Sequence, residues 1–432
     1  MSRDFLKSAK NIFCIGIGGI GVSALARMFL LEGKRVSGSD ISPSFVTEEL
    51  KKKGAKIFIG HKEENLKNDT DLVIYTKAIK KDNPELKKAK RLKIKTLSYS
   101  QALGEISSGK YTVAISGSHG KTTTTGMIAW GLLKARKQPT VVVGSFLKGL
   151  KSNFVAGRGK YFVVEACEYQ ESFLDLNPQI IVVTNIDNDH LDYYKNLSNL
   201  KKAFLKFIQK LPSGGYLVCD LSDRKISDLV RRIKKKRFEV IDFSKSKIDF
   251  PLRLIGEHNL KNAQAAASVL RLLKVEDKII KSALSSFSGT LRRFEYKGKK
   301  EGVLVYDDYA HHPTEIKKTL KAAKEFFKNQ KITVVFQPHL YSRTKILFND
   351  FLKSFQDADS IIFLPIYAAR EKFDKSISSK KLFSQLKHKN KFYFDSFKET
   401  TDFLKSYLKK GDILLTMGAG DVYKIAEAYL KK

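Results

Sequence analysis

The chain has 432 residues, room for roughly three domains at about 150 residues each, and its 42% hydrophobic and 29% charged residues with 27 Gly and 9 Pro exclude wholesale disorder and a collagen-like chain. Lys and Arg number 80 against 45 Asp and Glu, a net charge of +35 that points to phosphate-bearing partners without choosing among nucleotides, nucleic acid and anionic membrane. The cysteines Cys14, Cys167 and Cys219 form no C-x-x-C pair, which argues against a disulfide framework or a structural zinc site and suits a reducing cytoplasm.

In chain order, the first hundred residues alternate short apolar runs with helical patterns. Asn11–Ile17 reads as a buried strand, Gly21–Glu32 as a helix, Arg35–Ser39 as a strand and Ser44–Lys53 as a helix, followed by strands at Lys56–Ile59 and Leu72–Tyr75. This alternation predicts βαβ units and a parallel sheet. A second start comes at Tyr111–Ser116, again strand, glycine loop and helix (Lys121–Ala135), and the runs Tyr161–Val164 and Ile180–Thr184 read as strands buried on both faces. A third series opens at Gly302–Tyr306 and continues with strands at Ile332–Phe336, Ser360–Leu364 and Ile413–Met417 between Lys-rich helices. The expectation is an α/β chain in three segments, 1–105, 106–290 and 291–432, without a short-period repeat. The runs Lys51–Lys53, Lys87–Lys95 and Arg231–Arg237 interleave with apolar helix positions and read as solvated faces. The uncharged run Ile12–Ala26, behind Arg3, Lys7 and Lys10, has the look of a leader. Its glycines and the interrupting Arg27 assign it to the fold instead, and no other stretch reaches the ~20 apolar residues of a membrane helix. Neither secretion nor membrane insertion is expected.

Gly16-Ile17-Gly18-Gly19-Ile20-Gly21 matches G-x-G-x-x-G between a strand and a helix, where glycines let the backbone approach a diphosphate seated on the helix N-terminus. Asp40, at the end of the next strand, is placed for a ribose hydroxyl; taken alone, the motif also fits a structural turn and Asp40 a turn residue. Gly117-Ser118-His119-Gly120-Lys121-Thr122-Thr123 is a second loop in the same setting. Ile115 stands where the P-loop pattern has its first glycine, yet Gly-Lys-Thr still supplies amides for phosphate, an ammonium for the β and γ oxygens and a hydroxyl for Mg²⁺. His119 either touches phosphate or packs.

Glu165, at a strand end, suits a nucleotide metal, with Glu168 a weaker candidate. Asp187, Asp189, His190 and Asp192 follow Ile180–Thr184 on the edge where α/β sheets bind ligands, as helix caps or as functional groups. Arg292, Arg293 and the run Asp307-Asp308-Tyr309-Ala310-His311-His312-Pro313 surround the third segment's first strand. Either a ligand compensates these strand-end charges or Pro313-Thr314 simply opens a capped helix. Gln337, Pro338, His339, Tyr341 and Arg343 follow the next strand, Arg343 being fit to clamp a carboxylate or phosphate. Gly418-Ala419-Gly420-Asp421 reads equally as a glycine turn.

The series G-I-G-G-I-G with G-S-D, S-G-S-H-G-K-T-T-T, E-A-C-E, T-N-I-D-N-D-H-L-D, G-E-H-N-L-K-N, L-R-R-F-E, Y-D-D-Y-A-H-H-P, F-Q-P-H-L-Y-S-R-T and M-G-A-G-D, in order over nearly the whole chain, resembles the Mur ligases. The resemblance implies a three-domain α/β architecture. A Rossmann-like N-terminal domain would hold a uridine diphosphate sugar, a central P-loop-type domain ATP, and a Rossmann-like C-terminal domain would close over the nucleotide and bring the amino acid. It implies UDP-N-acetylmuramic acid and L-alanine as substrates, ATP and Mg²⁺ (or Mn²⁺) as cofactors, and a cytoplasmic place in peptidoglycan precursor synthesis.

By the same likeness Gly18, Gly19, Ile20, Gly21 and Asp40 would hold the UDP part, with His61 and Thr76 near it. Gly117, Ser118, His119, Gly120, Lys121, Thr122, Thr123, His258, Asn259, Asn262, Arg293 and Asp308 would hold ATP. Thr122, Glu165 and His190 would face the metal, and Tyr309 and His312 the amino acid. Lys121, His190, His312 and Arg343 would carry the chemistry, with His190 or His312 taking the amine proton. Three rivals stand beside this reading. Another ligase of the same family is one. An NAD-dependent oxidoreductase leaves Gly120-Lys121-Thr122 unexplained, and a nucleic-acid-stimulated ATPase, favoured by the net charge, leaves the C-terminal motifs unexplained. No nucleic-acid partner is therefore expected, and monomer and homodimer both stay open.

Overall fold

The computed structural model describes residues 5–233, 236–369 and 371–431. Arg3, ahead of the leader-like run, and the middle of the Arg231–Arg237 run lie outside the described residues. Three sheets carry the fold. The first is wholly parallel and contains β1 (Asn11–Ile15), β2 (Arg35–Asp40), β3 (Lys56–Ile59), β4 (Leu72–Tyr75) and β5 (Lys95–Ser98) in the order β3-β2-β1-β4-β5. The order reverses at β1, and a crevice opens outside strand ends at such a switch point. The run Ile12–Ala26 is therefore the central strand, a glycine turn and the buried face of the helix Ile20–Leu31.

The second sheet contains β6 (Tyr111–Ser116), β7 (Thr140–Leu147), β8 (Ser152–Val155), β9 (Tyr161–Glu165), β10 (Ile180–Val183), β11 (Tyr216–Cys219) and β12 (Glu239–Asp242), in the order β12-β11-β10-β6-β9-β7-β8. Only β8 runs antiparallel, against β7. Here the reversal falls at β6, which β9 and β10 flank. The third sheet contains β13 (Glu295–Lys300), β14 (Val303–Asp308), β15 (Ile332–Phe336), β16 (Ser360–Phe363), β17 (Lys391–Tyr393) and β18 (Ile413–Met417), in the order β13-β14-β18-β15-β16-β17. One edge, Glu-Tyr-Lys-Gly-Lys-Lys, is a Lys-rich strand and the other, Lys-Phe-Tyr, is only three residues long, two ways of blunting an edge against pairing with another chain.

Contacts gather the chain into two compact units. One comprises the chain to Ile186 with Leu200–Phe250 and Asn262–Ser286, and holds the first two sheets; the other comprises Asp187–Asn199, Pro251–Lys261 and Phe287 onward, and holds the third. Within the first unit a buried arginine joins the two sheets. Arg27 pairs with Glu49, donates to Asn153 Oδ1 at 2.7 Å and lies 5.1 Å from the Phe146 ring centre, while Asn153 donates back to Ile20 O. A buried guanidinium holds its place only with such partners, so this set fixes where the helix Ile20–Leu31 begins. Among the described residues no helix is long and apolar enough to cross a membrane.

Candidate active site

The first glycine loop follows β1. Gly16 and Ile17 donate to Ser39 O at 2.8 and 3.0 Å, and Gly18 donates to Asp40 Oδ2 at 2.8 Å. Gly19 opens the helix Ile20–Leu31 without a side-chain cap, so its first N–H groups are left for an anion. At Gly21 only glycine fits: a Cβ there would lie 2.7 Å from Tyr99 Cζ. Asp40 thus shapes the loop through its carboxylate. His61 belongs to a buried network in which Ser39 Oγ donates to Glu85 Oε2 at 2.7 Å, His61 Nδ1 lies 3.0 Å from the same oxygen, and Asn65 donates to Glu85 Oε1 at 2.7 Å.

A cavity of about 370 Å³ opens before this loop. Gly19, Ile20, Gly21, Thr76 and Tyr99 line one side, and Glu165, Cys167 and Gln170 the other. Gly18, Asp40 and His61 do not line it. Glu165 Oε2 accepts from Gly144 N at 2.8 Å, and Lys77 Nζ donates to Ser172 Oγ at 3.0 Å. Gln170 and Glu171 hold φ of 52° and 53°, a cost that non-glycine residues meet mostly at functional loops. Burial and the Glu165 charge push the Tyr99 phenol well above its ordinary range, so it stays neutral.

The second loop follows β6. Gly117 sits at φ +131°, with a would-be Cβ driven into Thr184 Oγ1. Ser118 N donates to Asn185 O at 3.0 Å, His119 N to Asn185 Oδ1 at 2.9 Å, and Thr184 Oγ1 to His119 O at 2.6 Å. Asn262 faces Gly120 and lies 3.2 Å from Thr124 Oγ1. Lys121 Nζ folds back onto Gly117 O and donates to Ser118 O at 3.2 Å and to Glu168 Oε1 at 2.9 Å. Burial alone would lower this ammonium's pKa; the charges of Glu168, Cys167 and Glu165 outweigh it and hold it above the ordinary lysine range, so Lys121 is a fixed cation.

In the other unit the polar groups close on one another. Asp189 Oδ1 accepts from Arg343 Nη2 at 3.2 Å, and its Oδ2 lies 3.7 Å from His190 Nε2. Burial works against this carboxylate's charge, but His190, Arg343 and His312 hold it far below the usual range. Arg343 Nη1 also meets His339 Nδ1 at 3.0 Å, so the guanidinium is committed within the unit. His312 caps the helix Pro313–Phe326, its Nδ1 accepting from Thr314 N at 3.2 Å while Nε2 meets Asn188 O at 2.9 Å. Thr314 Oγ1 donates to Asp187 Oδ2 at 2.6 Å. Arg292 donates to Asp307 at 2.8 Å and to Gly418 O and Gly420 O at 2.6 and 3.0 Å, which makes that glycine turn a structural acceptor. Tyr309 carries the Arg292 and Arg293 guanidiniums 5.1 and 5.4 Å from its ring centre. Asp308 accepts from Phe294 N and Ala310 N, both at 2.7 Å, and burial raises it to about 6 against the pull of Arg293.

The Mur ligase family, catalytic domain, matches residues 11–111, the Mur ligase middle domain 115–249, and the Mur ligase, glutamate ligase domain, 292–420. The chain belongs to the Mur ligase family. It is 44% identical to the UDP-N-acetylmuramate–L-alanine ligases of Clostridium botulinum and Clostridium kluyveri, with 100% of this chain and of each relative covered. The crystal structure of the UDP-N-acetylmuramate-alanine ligase of Thermotoga maritima superposes with a TM-score of 0.83 at 29% identity over 97% of this chain and 98% of that one. The three-domain Mur ligase architecture follows.

Set against that family, the expected residues divide between the units. Gly18 to Gly21, Asp40, His61, Thr76, Gly117 to Thr123, Glu165 and Asn262 lie in one; His190, His258, Asn259, Arg293, Asp308, Tyr309, His312 and Arg343 lie in the other. Asn259 Nδ2 donates to Ile255 O at 2.8 Å and lies 3.2 Å from His258 Nε2. Sequence reasoning missed Tyr99 and Glu85, as well as Thr184 and Asn185 as the brace of the Mur ligase nucleotide loop. Of these, only Thr184-Asn185 had a visible signal, its place directly after an apolar strand.

Proposed function

We propose that the chain joins L-alanine to the lactyl carboxylate of UDP-N-acetylmuramic acid with consumption of ATP, giving UDP-N-acetylmuramoyl-L-alanine, ADP and phosphate. One observation carries the reading beyond family membership. The segment Glu165–Cys167 that walls the diphosphate loop's cavity runs directly into Glu168, which holds Lys121 of the nucleotide loop. Two phosphate sites thereby share one wall, as transfer between an ATP and a UDP-linked substrate requires. The working division is 1–105 for the UDP sugar, 106–290 for ATP and 291–432 for the amino acid and closure. A cytoplasmic place in peptidoglycan synthesis fits the three free thiols.

The chemistry follows from the residues. The uncapped amides of the first turn of the helix Ile20–Leu31 take the diphosphate of the sugar nucleotide, and those that open the helix at Lys121 the phosphates of ATP. The lactyl carboxylate attacks the γ-phosphate in line, and Lys121, whose charge Glu168 favours, offsets charge on the transferring oxygens. The Thr122 hydroxyl and the Glu165 carboxylate are hard oxygen donors that suit Mg²⁺ or Mn²⁺, with His190 the third expected ligand. Such an ion, when bound, neutralises phosphate charge. The acyl phosphate is then attacked by the neutral amine of alanine. His190 or His312 takes the amine proton; the ring of His312 is oriented for its part by Thr314 N and Asn188 O. Water must be kept from the acyl phosphate, and that is the task assigned to the third domain.

The test is ADP release from Mg-ATP with each substrate alone and with both. Release that requires both, with a new amide by mass, is the expected result. ADP release without either substrate that rises with nucleic acid would overturn the reading. Glycine and L-serine belong in the same assay, since a methyl pocket discriminates by only about 1–3 kcal/mol.

A further inference from the structure

The two helices that frame the diphosphate loop each reach a second cavity at their other ends. Ile20 and Gly21 of the helix Ile20–Leu31, and Tyr99 and Ser100 of the helix Tyr99–Ser107, line the active-site cavity; Phe29 and Leu31 of the first, and Glu105 and Ile106 of the second, line a separate cavity of about 360 Å³. That volume lies within the ~300–1,000 Å³ of small-molecule sites. Leu6, Met28 and Phe154 complete its apolar wall.

One polar atom in this wall has no counterpart. Glu105 Oε2 is buried and accepts no hydrogen bond. The nearby cations hydrogen-bond groups other than Glu105: Lys110 donates to Gly159 O at 3.1 Å, and Lys34 donates to Leu6 O and lies 3.7 Å from Glu32. Lys7 lines the cavity from an exposed position. Glu32, the second carboxylate on this wall, is raised by its burial even against Lys34 and Lys110. An apolar chamber with an unmatched buried carboxylate oxygen is complementary to a donor on an apolar body, and a positive donor best.

We propose that this cavity is a regulatory site for a small organic cation, an ammonium on an apolar body, whose charge pairs with Glu105 while the body packs against Met28, Phe29 and Phe154. An occupant shifts the C-terminal ends of two helices whose opposite ends meet where Gly21 touches the Tyr99 ring. It therefore changes the seat of the diphosphate, and by linkage the two ligands alter each other's affinity by one factor. This regulatory half rests on the proposed function; the binding half does not.

Calorimetry with 4-phenylbutylamine, 4-phenylbutanol and 4-phenylbutyrate tests both without any turnover. The amine should bind at least tenfold tighter than the alcohol, and the carboxylate not measurably. Glu105→Gln should bring the amine to the level of the alcohol with ligase activity unchanged, and Ala156→Phe, which adds bulk at the chamber's exposed rim, should weaken binding of both. With uridine diphosphate as second probe, its affinity should change at least threefold when the amine is saturating. Equal binding of amine and carboxylate, or amine binding that survives Glu105→Gln, would overturn the site. An unchanged uridine diphosphate affinity would overturn the regulatory role, and neither outcome depends on whether the ligase reaction occurs.

Discussion

At the end of β1 the chain turns through Gly16, Gly18, Gly19 and Gly21 into a helix with no cation at its start; at the end of β6 it turns through Gly117 and Gly120 into Lys121. Both helices lack a side-chain cap, so both leave amides for phosphate. They differ in how the loop is held. An acidic side chain, Asp40, accepts from the first loop's backbone, whereas neutral Thr184 and Asn185 brace the second and a carboxylate, Glu168, meets its lysine. The first loop thus seats a diphosphate that stays intact through amides and shape. The second adds a fixed charge where phosphoryl transfer builds up negative charge. The helix at Pro313 is the contrasting case, since His312 and Glu315 close its N-terminus and it offers no comparable anion seat.

The largest effect expected of this difference is at Lys121. Lys121→Ala should lower kcat by roughly 10²–10³, the usual cost of removing one donor to developing charge, with the KM for the sugar nucleotide changed little, as read by steady-state ADP release. A rise in that KM comparable to the fall in kcat would mean that the two loops are not separate seats. At the second loop's brace, Gly117→Ala combines a left-handed φ with a collision at Thr184 and should weaken ATP binding at least tenfold, measured by calorimetry with a non-hydrolysable analogue.

Gly21→Ala, by contrast, should act on the sugar nucleotide alone, raising its KM roughly tenfold, because the added methyl meets the Tyr99 ring. The double variant with Tyr99→Ala should recover most of that loss if the ring is the obstacle. No recovery would point instead to the helix start itself. A smaller effect is expected one layer further back. Glu85→Gln removes one acceptor from the Ser39, His61 and Asn65 network and should cost about 1–3 kcal/mol in urea unfolding, with a KM change of a few fold because Ser39 O holds Gly16 and Ile17.

Much of this was legible before any coordinates. Strand, glycine turn and helix were visible at both loops because apolar runs and glycines are local signals, and the order of motifs identified the family. Tyr99 and Glu85 were not legible. Each acts across a long sequence separation, Tyr99 on Gly21 and Glu85 on Ser39, and neither sits in a pattern of its own. The edge strands β13 and β17 were missed for a local reason, since the Lys-rich sequence of β13 carries no apolar run and β17 is only three residues long. Arg343 illustrates a third limit: its type fits a carboxylate clamp, but only the fold reveals its commitment to Asp189 and His339.

Cys167 offers the finest probe of the comparison, because it lines the first loop's cavity while its charge interacts with the second loop's lysine. Its thiol is reachable from that cavity yet surrounded by protein, and burial together with Glu168 pushes it up to about 12, against the opposing pull of Lys121. The thiolate is the reactive form, so alkylation by iodoacetamide should be slow at neutral pH and rise about tenfold per pH unit up to pH ~10 without a plateau, where an ordinary thiol of pKa ~8.5 levels off. Cys14 and Cys219 are buried and held equally high, so mass spectrometry of the folded protein should find the label on Cys167. Uridine diphosphate sugar should protect it by filling the cavity. Lys121→Ala should slow labelling at every pH by removing a cation that lowers the thiol, whereas Gly21→Ala should leave the pH profile unmoved. A plateau below pH 9.5, or a profile that responds to the first loop and not to the second, would break the assignment of charge to one loop and shape to the other.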